Sequence, residues 1–411
     1  MIEHTSFTLD NGLRVVHHLD PSTSHVAVAL LYNVGARDEM PGLTGMAHLF
    51  EHLMFGGSVN VPDYDYAIEM AGGTNNAWTS NDFTYFYDVL PAANVETAFW
   101  AESDRMLQLD FSERSLEVQR SVVIEEFKQV CLNKPYGDMG HLLRDLLYKV
   151  HPYRYPTIGR APEDLERVTL DDIRRFFYSH YAPNNAVLSV AGPVEADRVR
   201  ELAEKWFRTI PRREIAPRDY PAEPPITEAR RLEVVRPVPQ SRIIIAFPMD
   251  AYGTDDYRVA DIITDILASG QSSRLNRRLV VGTDLFTEAD ASIAGSEEPG
   301  FLQIGGATTD NSDATIRKAE EALWQEIRRL TDEEVSEHEL ERALNRYESN
   351  LTFSHINYTS KCRDLAMAEI HGEDLNRQAA LYRRITPADI RRVAALLQPR
   401  RSATLLYRAN P

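Results

Sequence analysis

Only two cysteines, Cys131 and Cys362, occur in 411 residues. They allow at most one disulfide and exclude a metal site built from thiolates. Both read as reduced structural residues. No apolar run approaches the ~20 residues of a membrane span, so no membrane role is expected. The opening stretch MIEHTSFTLDNGLRVVHH has no apolar h-region. That reads as cytoplasmic, although a periplasmic protein stripped of its signal would look the same. Positive charge is short as well. A net charge of −17 leaves no basic face for nucleic acid. It fits solvated surface first, and an acidic cavity favouring basic peptides second. Gly56-Gly57 and Gly72-Gly73 lack the spacing of a phosphate-binding loop. No motif for an organic cofactor is present.

Against these absences stand a 43% hydrophobic and 26% charged composition, the mix of a globular protein, and a length that calls for two or more domains. Ser6 to His18 reads as two strands across an Asn11-Gly12 turn. His25 to Tyr32 reads as a buried strand. A helix follows from Leu43 to Phe55. Thr74 to Pro91 reads as a strand pair, with Asn75-Asn76 and Ser80-Asn81-Asp82 as turns. Glu113 to Val130 is helical. Residues 213–228, rich in proline and charge, read as a linker. They separate an N-terminal domain, 1–212, from a C-terminal domain, 229–411.

The second half repeats the first. Thr169-Leu-Asp-Asp-Ile-Arg-Arg175 matches Thr386-Pro-Ala-Asp-Ile-Arg-Arg392 at an offset of 217 residues, and Asn185–Val190 lies over Ser402–Tyr407 at the same offset. The expected fold is α+β, with two homologous domains, each a mainly antiparallel sheet packed with helices. Where the first domain has the Leu43–Phe55 helix, the second has Tyr257 to Ala268, with Asp261 and Asp265 but no histidine.

The chemistry concentrates in His48-x-x-Glu51-His52. Positions i and i+4 of a helix lie on one face, so two imidazoles can grip a divalent metal from one side. Glu51 sits beside them, within reach of a metal-activated water. Two histidines four apart form a weak pattern in a chain with twelve, because a core histidine is ordinarily just hydrogen-bonded. Glu51 sharpens it, since a carboxylate beside two imidazoles calls for a cation. Zinc needs a third protein ligand. The sequence offers Glu125 and Glu126 in Ser121-Val-Val-Ile-Glu-Glu-Phe127. Val122 and Val123 predict a half-buried helix with one acid turned inward. Val122, Glu126 and Gln119 share a side, with Glu125 about 100° round. Spacing ranks the two acids without deciding between them, and a solvated outer face for both is the plain alternative.

The pattern Gly45-x-Ala47-His48-x-x-Glu51-His52-x-x-Phe55-x-Gly57-Ser58 resembles the M16 peptidases, whose inverted zinc motif it carries. Gly72-Gly73-x-x-Asn76-Ala77-x-Thr79, Arg120-x-Val122-Val123-x-Glu125-Glu126, His151-Pro152-Tyr153 and Tyr181-x-Pro183-x-Asn185 agree with it. Length and two-domain plan resemble the small M16B subfamily, with the fold shared by LuxS and the mitochondrial processing peptidase. The resemblance implies Zn²⁺ held by His48, His52 and Glu126, with Glu51 as general base. It also implies an edge strand around Asn76 and Ala77 that pairs with extended peptide substrates. The implied activity is that of a zinc endopeptidase; the competing expectation is a non-catalytic assembly subunit.

Two departures stand out. The family's second glutamate, seven residues before the zinc ligand, is Gln119 here. An Arg and Tyr that hold substrate in the C-terminal half align with Val280 and Thr287, after Ser272-Ser-Arg-Leu275. The chain therefore resembles the zinc-bearing subunit of a two-subunit enzyme. Its expected partner is a homologous M16B subunit carrying the Arg/Tyr pair, or a second copy of itself when alone.

Overall fold

The computed structural model describes residues 1–215 and 217–410. The chain divides into two compact units, and neither is a contiguous span. Unit 1 comprises Met1–Gln129, Tyr155–Tyr220 and Leu351–Gln378, and unit 2 comprises Val130–Arg154, Pro221–Asn350 and Ala379–Pro411. These units differ in extent from the expected domains, 1–212 and 229–411. Two segments belong to the unit opposite to the one their place in the sequence assigns.

Unit 1 is built on six strands, β1 (Thr5–Thr8), β2 (Arg14–Leu19), β3 (His25–Tyr32), β4 (Thr74–Thr79), β5 (Thr84–Pro91) and β6 (Ala186–Gly192), in the order β1-β2-β6-β3-β5-β4. Only β2 and β6 run parallel. Every residue of β3 after His25 is buried, because both faces of the sheet are covered. Its helices are α1 (Met46–Leu53), α2 (Tyr64–Met70), α3 (Val95–Leu107) and α4 (Glu113–Phe127), followed after an excursion of the chain by α6 (Pro162–Glu166), α7 (Leu170–His180) and α8 (Ala196–Phe207). Phe50, Phe99, Phe177, Leu202 and Phe207 join Val28 and Leu30 in the core on one face. The other face is closed by α12 (Tyr358–His371), whose Cys362, Leu365 and Ala366 pack on Val16, Ala27, Ala29 and Val187.

Unit 2 repeats the plan with β7 (Arg230–Arg236), β8 (Arg242–Met249), β9 (Phe286–Ala294), β10 (Gly300–Thr308) and β11 (Ala403–Ala409), in the order β7-β11-β8-β10-β9. Again one pair, β7 and β11, is parallel. Strand for strand this is the first sheet without β1. One face carries α9 (Asp255–Ala268), α10 (Asp313–Asp332), α11 (Glu337–Ser354) and α14 (Pro387–Ala394), with the short α13 (Gln378–Tyr382) before α14. The other face is covered by α5 (Met139–Leu147), the excursion from the first half of the sequence, with Leu143 and Leu147 against Ile244, Ala246 and Leu405.

The sequence repeat has a structural basis. Thr169 and Thr386 each accept the backbone N–H of an aspartate three residues on, Asp172 and Asp389, and each aspartate carboxylate accepts the threonine N–H. These capping boxes start the helices that feed β6 and β11. Residues 211–228 carry no helix or strand among those described, as expected of the proline-rich stretch.

Candidate metal centre

The central helix, α1, is shorter than the expected Leu43–Phe55. Its start is set by Gly45, which sits at φ 87° in the left-handed region, where a Cβ would be strained. Gly45 has no side chain to cap the helix. Glu39 does so instead, accepting the N–H groups of Gly45 and Ala47 at 2.9 and 2.8 Å. Met46, Leu49, Phe50 and Leu53 form the buried stripe at helical spacing. Phe50 anchors it, lying 4.2 Å from the Tyr181 ring and 5.9 Å from those of Phe176 and Phe177. With that face fixed, His48 and His52 emerge together on the half-open side.

α4 meets them there. Ser112 caps its first turn, and Leu116, Val123 and Phe127 hold it in the core. The expectation for Val122 needs correcting: it is 45% exposed, and Val123 alone of the pair faces inward. Glu126 nevertheless turns to the histidines. Its Oε2 lies 3.2 Å from His48 Nε2 and 3.5 Å from His52 Nε2. Glu125 points elsewhere, is exposed, and pairs with Lys128 at 2.6 Å. The three donor atoms of His48, His52 and Glu126 all lie within 4.8 Å of one another.

Glu51 is buried beside them, with Oε2 3.4 Å from His48 Nδ1. The same oxygen accepts a hydrogen bond from the Thr79 hydroxyl, at the end of β4. Thr79 and Glu39 were not singled out from sequence. Thr79 lay within the quoted Asn76-Ala77-x-Thr79 run, and strand alternation alone places it on the face of Ala77. Gln119 takes part as a hydrogen-bond partner of the His52 ring.

The electrostatics favour a cation at this point. Burial alone would lower the His48 pKa, but hydrogen bonds to Glu126 and Glu51 outweigh it and push it up to about 9. The His48 hydrogen bond holds Glu126 below the usual carboxylate range. His52 shifts the other way, lowered by burial and by the neighbouring His48. Two imidazole nitrogens and one carboxylate oxygen, with two acids competing for positive charge, are a donor set that suits zinc with three protein ligands. The residues present fit the ion.

β4 closes the sheet at its edge. The strand begins at Thr74, so Asn75-Asn76 is not a turn; pairing with β5 overrides the local preference of asparagine. The expected turn at Ser80-Asn81-Asp82 is where the hairpin reverses. Asn76 and Ala77 thus lie on an edge strand that ends against Glu51. In unit 2, Val280 is partly buried against the core and Thr287 lies on β9.

Residues 14–158 match the family described as Insulinase (Peptidase family M16), and residues 167–347 match the Peptidase M16 inactive domain. The zinc protease PqqE of Helicobacter pylori is 30% identical over 83% of this chain and 77% of its own.

The chain belongs to peptidase family M16.

A probable mitochondrial-processing peptidase subunit beta of Arabidopsis thaliana is 25% identical over 93% of this chain and 72% of its own. The crystal structure of a protease from Helicobacter pylori matches with a TM-score of 0.91 and 25% identity over the whole of both chains. The M16 fold is therefore present in both halves, and relatives within it are named zinc proteases.

Proposed function

We propose that this M16 chain is a zinc-dependent endopeptidase subunit acting on extended peptides. The observation that carries the reading is the meeting of His48, His52 and Glu126 with Glu51 buried alongside. In this reading His48 and His52 from α1 and Glu126 from α4 hold the ion. When bound, zinc brings the pKa of a water towards ~7 and polarises the scissile carbonyl. Glu51 takes the proton of the attacking water at its carboxylate and delivers it to the leaving amine. Thr79 keeps Oε2 of Glu51 aimed into the site, and the buried setting of Glu51 limits competing solvent. The edge of β4, at Asn76 and Ala77, receives the substrate main chain as an added strand. Such recognition selects extended backbone more than sequence.

Val280 and Thr287 supply neither a guanidinium nor a phenol. Full activity therefore draws on a homologous subunit with an Arg/Tyr pair. The test is zinc analysis and peptide hydrolysis for wild type and Glu51→Gln, with and without such a partner. The mutant is expected to retain zinc and lose ~10²–10⁴-fold in turnover. Unchanged turnover would remove Glu51 from the role of base. Vigorous hydrolysis by the wild-type chain alone would remove the need for a partner.

A further inference from the structure

The phase of the β4–β5 ladder decides which backbone groups of the edge are open. In an antiparallel pair, opposed residues alternate between those that exchange both hydrogen bonds and those that exchange none. At the hairpin the Ser80 N–H donates to the Phe83 carbonyl at 2.8 Å. Counting back along the register, Thr79↔Thr84 is a non-bonded pair, Trp78↔Tyr85 a bonded one and Ala77↔Phe86 non-bonded. The N–H and C=O of Asn75, Ala77 and Thr79 therefore point away from β5, to the open side. Asn76, opposite Tyr87, has its backbone committed to the sheet.

The Ala77 N–H is nonetheless occupied. It donates to Oδ1 of the neighbouring Asn76 side chain at 2.8 Å. Asn76 is exposed, so its side chain can leave without disturbing a core. We infer that the Asn76 side chain is a displaceable guard of the substrate edge. It satisfies the Ala77 N–H in the free protein and swings aside when a peptide carbonyl takes its place. The inference rests on the peptide-binding role proposed for β4.

Two physical needs meet in this arrangement. A bare sheet edge is a template for unwanted strand pairing, which edge strands normally suppress. Asparagine is suited to the task because its side chain offers the backbone a local acceptor. Displacement exchanges one hydrogen bond for another, so the guard lowers affinity only modestly. It also filters ligands. A segment that brings carbonyls and N–H groups to Asn75, Ala77 and Thr79 together regains what it displaces. A folded surface touching one of them does not. The class selected is an unpaired, extended stretch of polypeptide several residues long.

The test uses the full chain in a Glu51→Gln background, so that peptide is bound and not cut. Exchange of the Ala77 amide with deuterium is measured at residue resolution. Binding of a fluorescein-labelled, unstructured 15-residue peptide is followed by anisotropy. Adding Asn76→Ala is expected to speed Ala77 exchange about fivefold and tighten peptide binding by a similar factor, as for one exposed hydrogen bond. The Trp78 amide, committed to Tyr85, stays unchanged. Asn76→Asp, with a stronger acceptor, should slow exchange and weaken binding. Equal Ala77 exchange with and without Asn76 would overturn the guard. So would weaker binding by Asn76→Ala, which would make Asn76 a ligand of the peptide. If no variant binds the peptide, the edge-binding reading fails, and the exchange rates alone decide whether Asn76 holds the N–H.

Discussion

In unit 1, β3 leads to α1, whose half-open face presents His48 and His52 to Glu126 of α4, with Glu51 buried beside them. In unit 2 the matching strand, β8, leads to α9, which buries Val259, Ile262, Ile263, Ile266 and Leu267. Where the first helix is polar, the second carries Asp261, which accepts the Tyr382 hydroxyl at 2.8 Å and whose pKa burial raises. Tyr382 in turn stacks on Tyr347, ring centroids 3.6 Å apart. One framework accommodates either a cluster of metal donors or an aromatic plug beside the acids of α9. The shared strand order therefore carries no chemistry by itself; a handful of side chains on one helix face and its neighbour do.

The difference breaks most visibly at the group that steers Glu51. Thr79→Val keeps the shape of the side chain but removes the hydroxyl that Glu51 accepts. A loss of about 10–100-fold in kcat is expected, the usual effect of removing such an orienting partner. KM and zinc content should change little, and Thr79→Ser should recover most of the loss. Wild-type kcat in Thr79→Val would show that Glu51 needs no such support.

A second test exploits the charge at the unit 1 site. In chelator-treated protein His48 has a pKa of about 9, above the ~6.5 of a free imidazole. A folded-state pKa raised in this way stabilises fully below the unfolded value, and the gain is lost as pH rises through the folded one. Melting temperature should therefore fall between about pH 6.5 and pH 9, and the fall should shrink in His48→Gln. An identical pH profile in the two proteins would contradict the ionic arrangement of His48 with Glu126 and Glu51.

The smallest effect probes what the units share. Thr169→Ala and Thr386→Ala each delete one capping box. Each should cost about 1 kcal/mol in denaturant unfolding. Very unequal costs would show that the matched helices do not bear matched loads.

Much of this was legible in the sequence because local rules and tertiary packing agree there. His25–Tyr32 is strand from end to end, and the Thr-x-x-Asp repeat becomes two identical caps. The metal-site helix was legible as a helix but not in its limits. Gly45 delays its start, and the cap comes from Glu39, six residues upstream and outside any local capping pattern. Asn75-Asn76 reads as a turn by propensity and is held extended by β5. Val122 and Val123 look alike in sequence, but α4 can bury only one of them. For α5 and α12, which sheet each helix covers was not legible. An amphipathic pattern tells which face is apolar, not which sheet it covers. The choice of Glu126 over Glu125 came from resemblance, since spacing left both open.

That choice is also where the central claim is most exposed. Zinc affinity of wild type, Glu126→Ala and Glu125→Ala, measured by competition with a chromophoric chelator, addresses it without reference to turnover. Glu126→Ala is expected to lose zinc affinity by at least about 100-fold, because a direct ligand matters at least as much as its supporting shell. Glu125→Ala, which breaks only an exposed pair with Lys128, should bind zinc like wild type. Equal affinity in wild type and Glu126→Ala, or loss in Glu125→Ala instead, would contradict the assignment of His48, His52 and Glu126 as the metal centre.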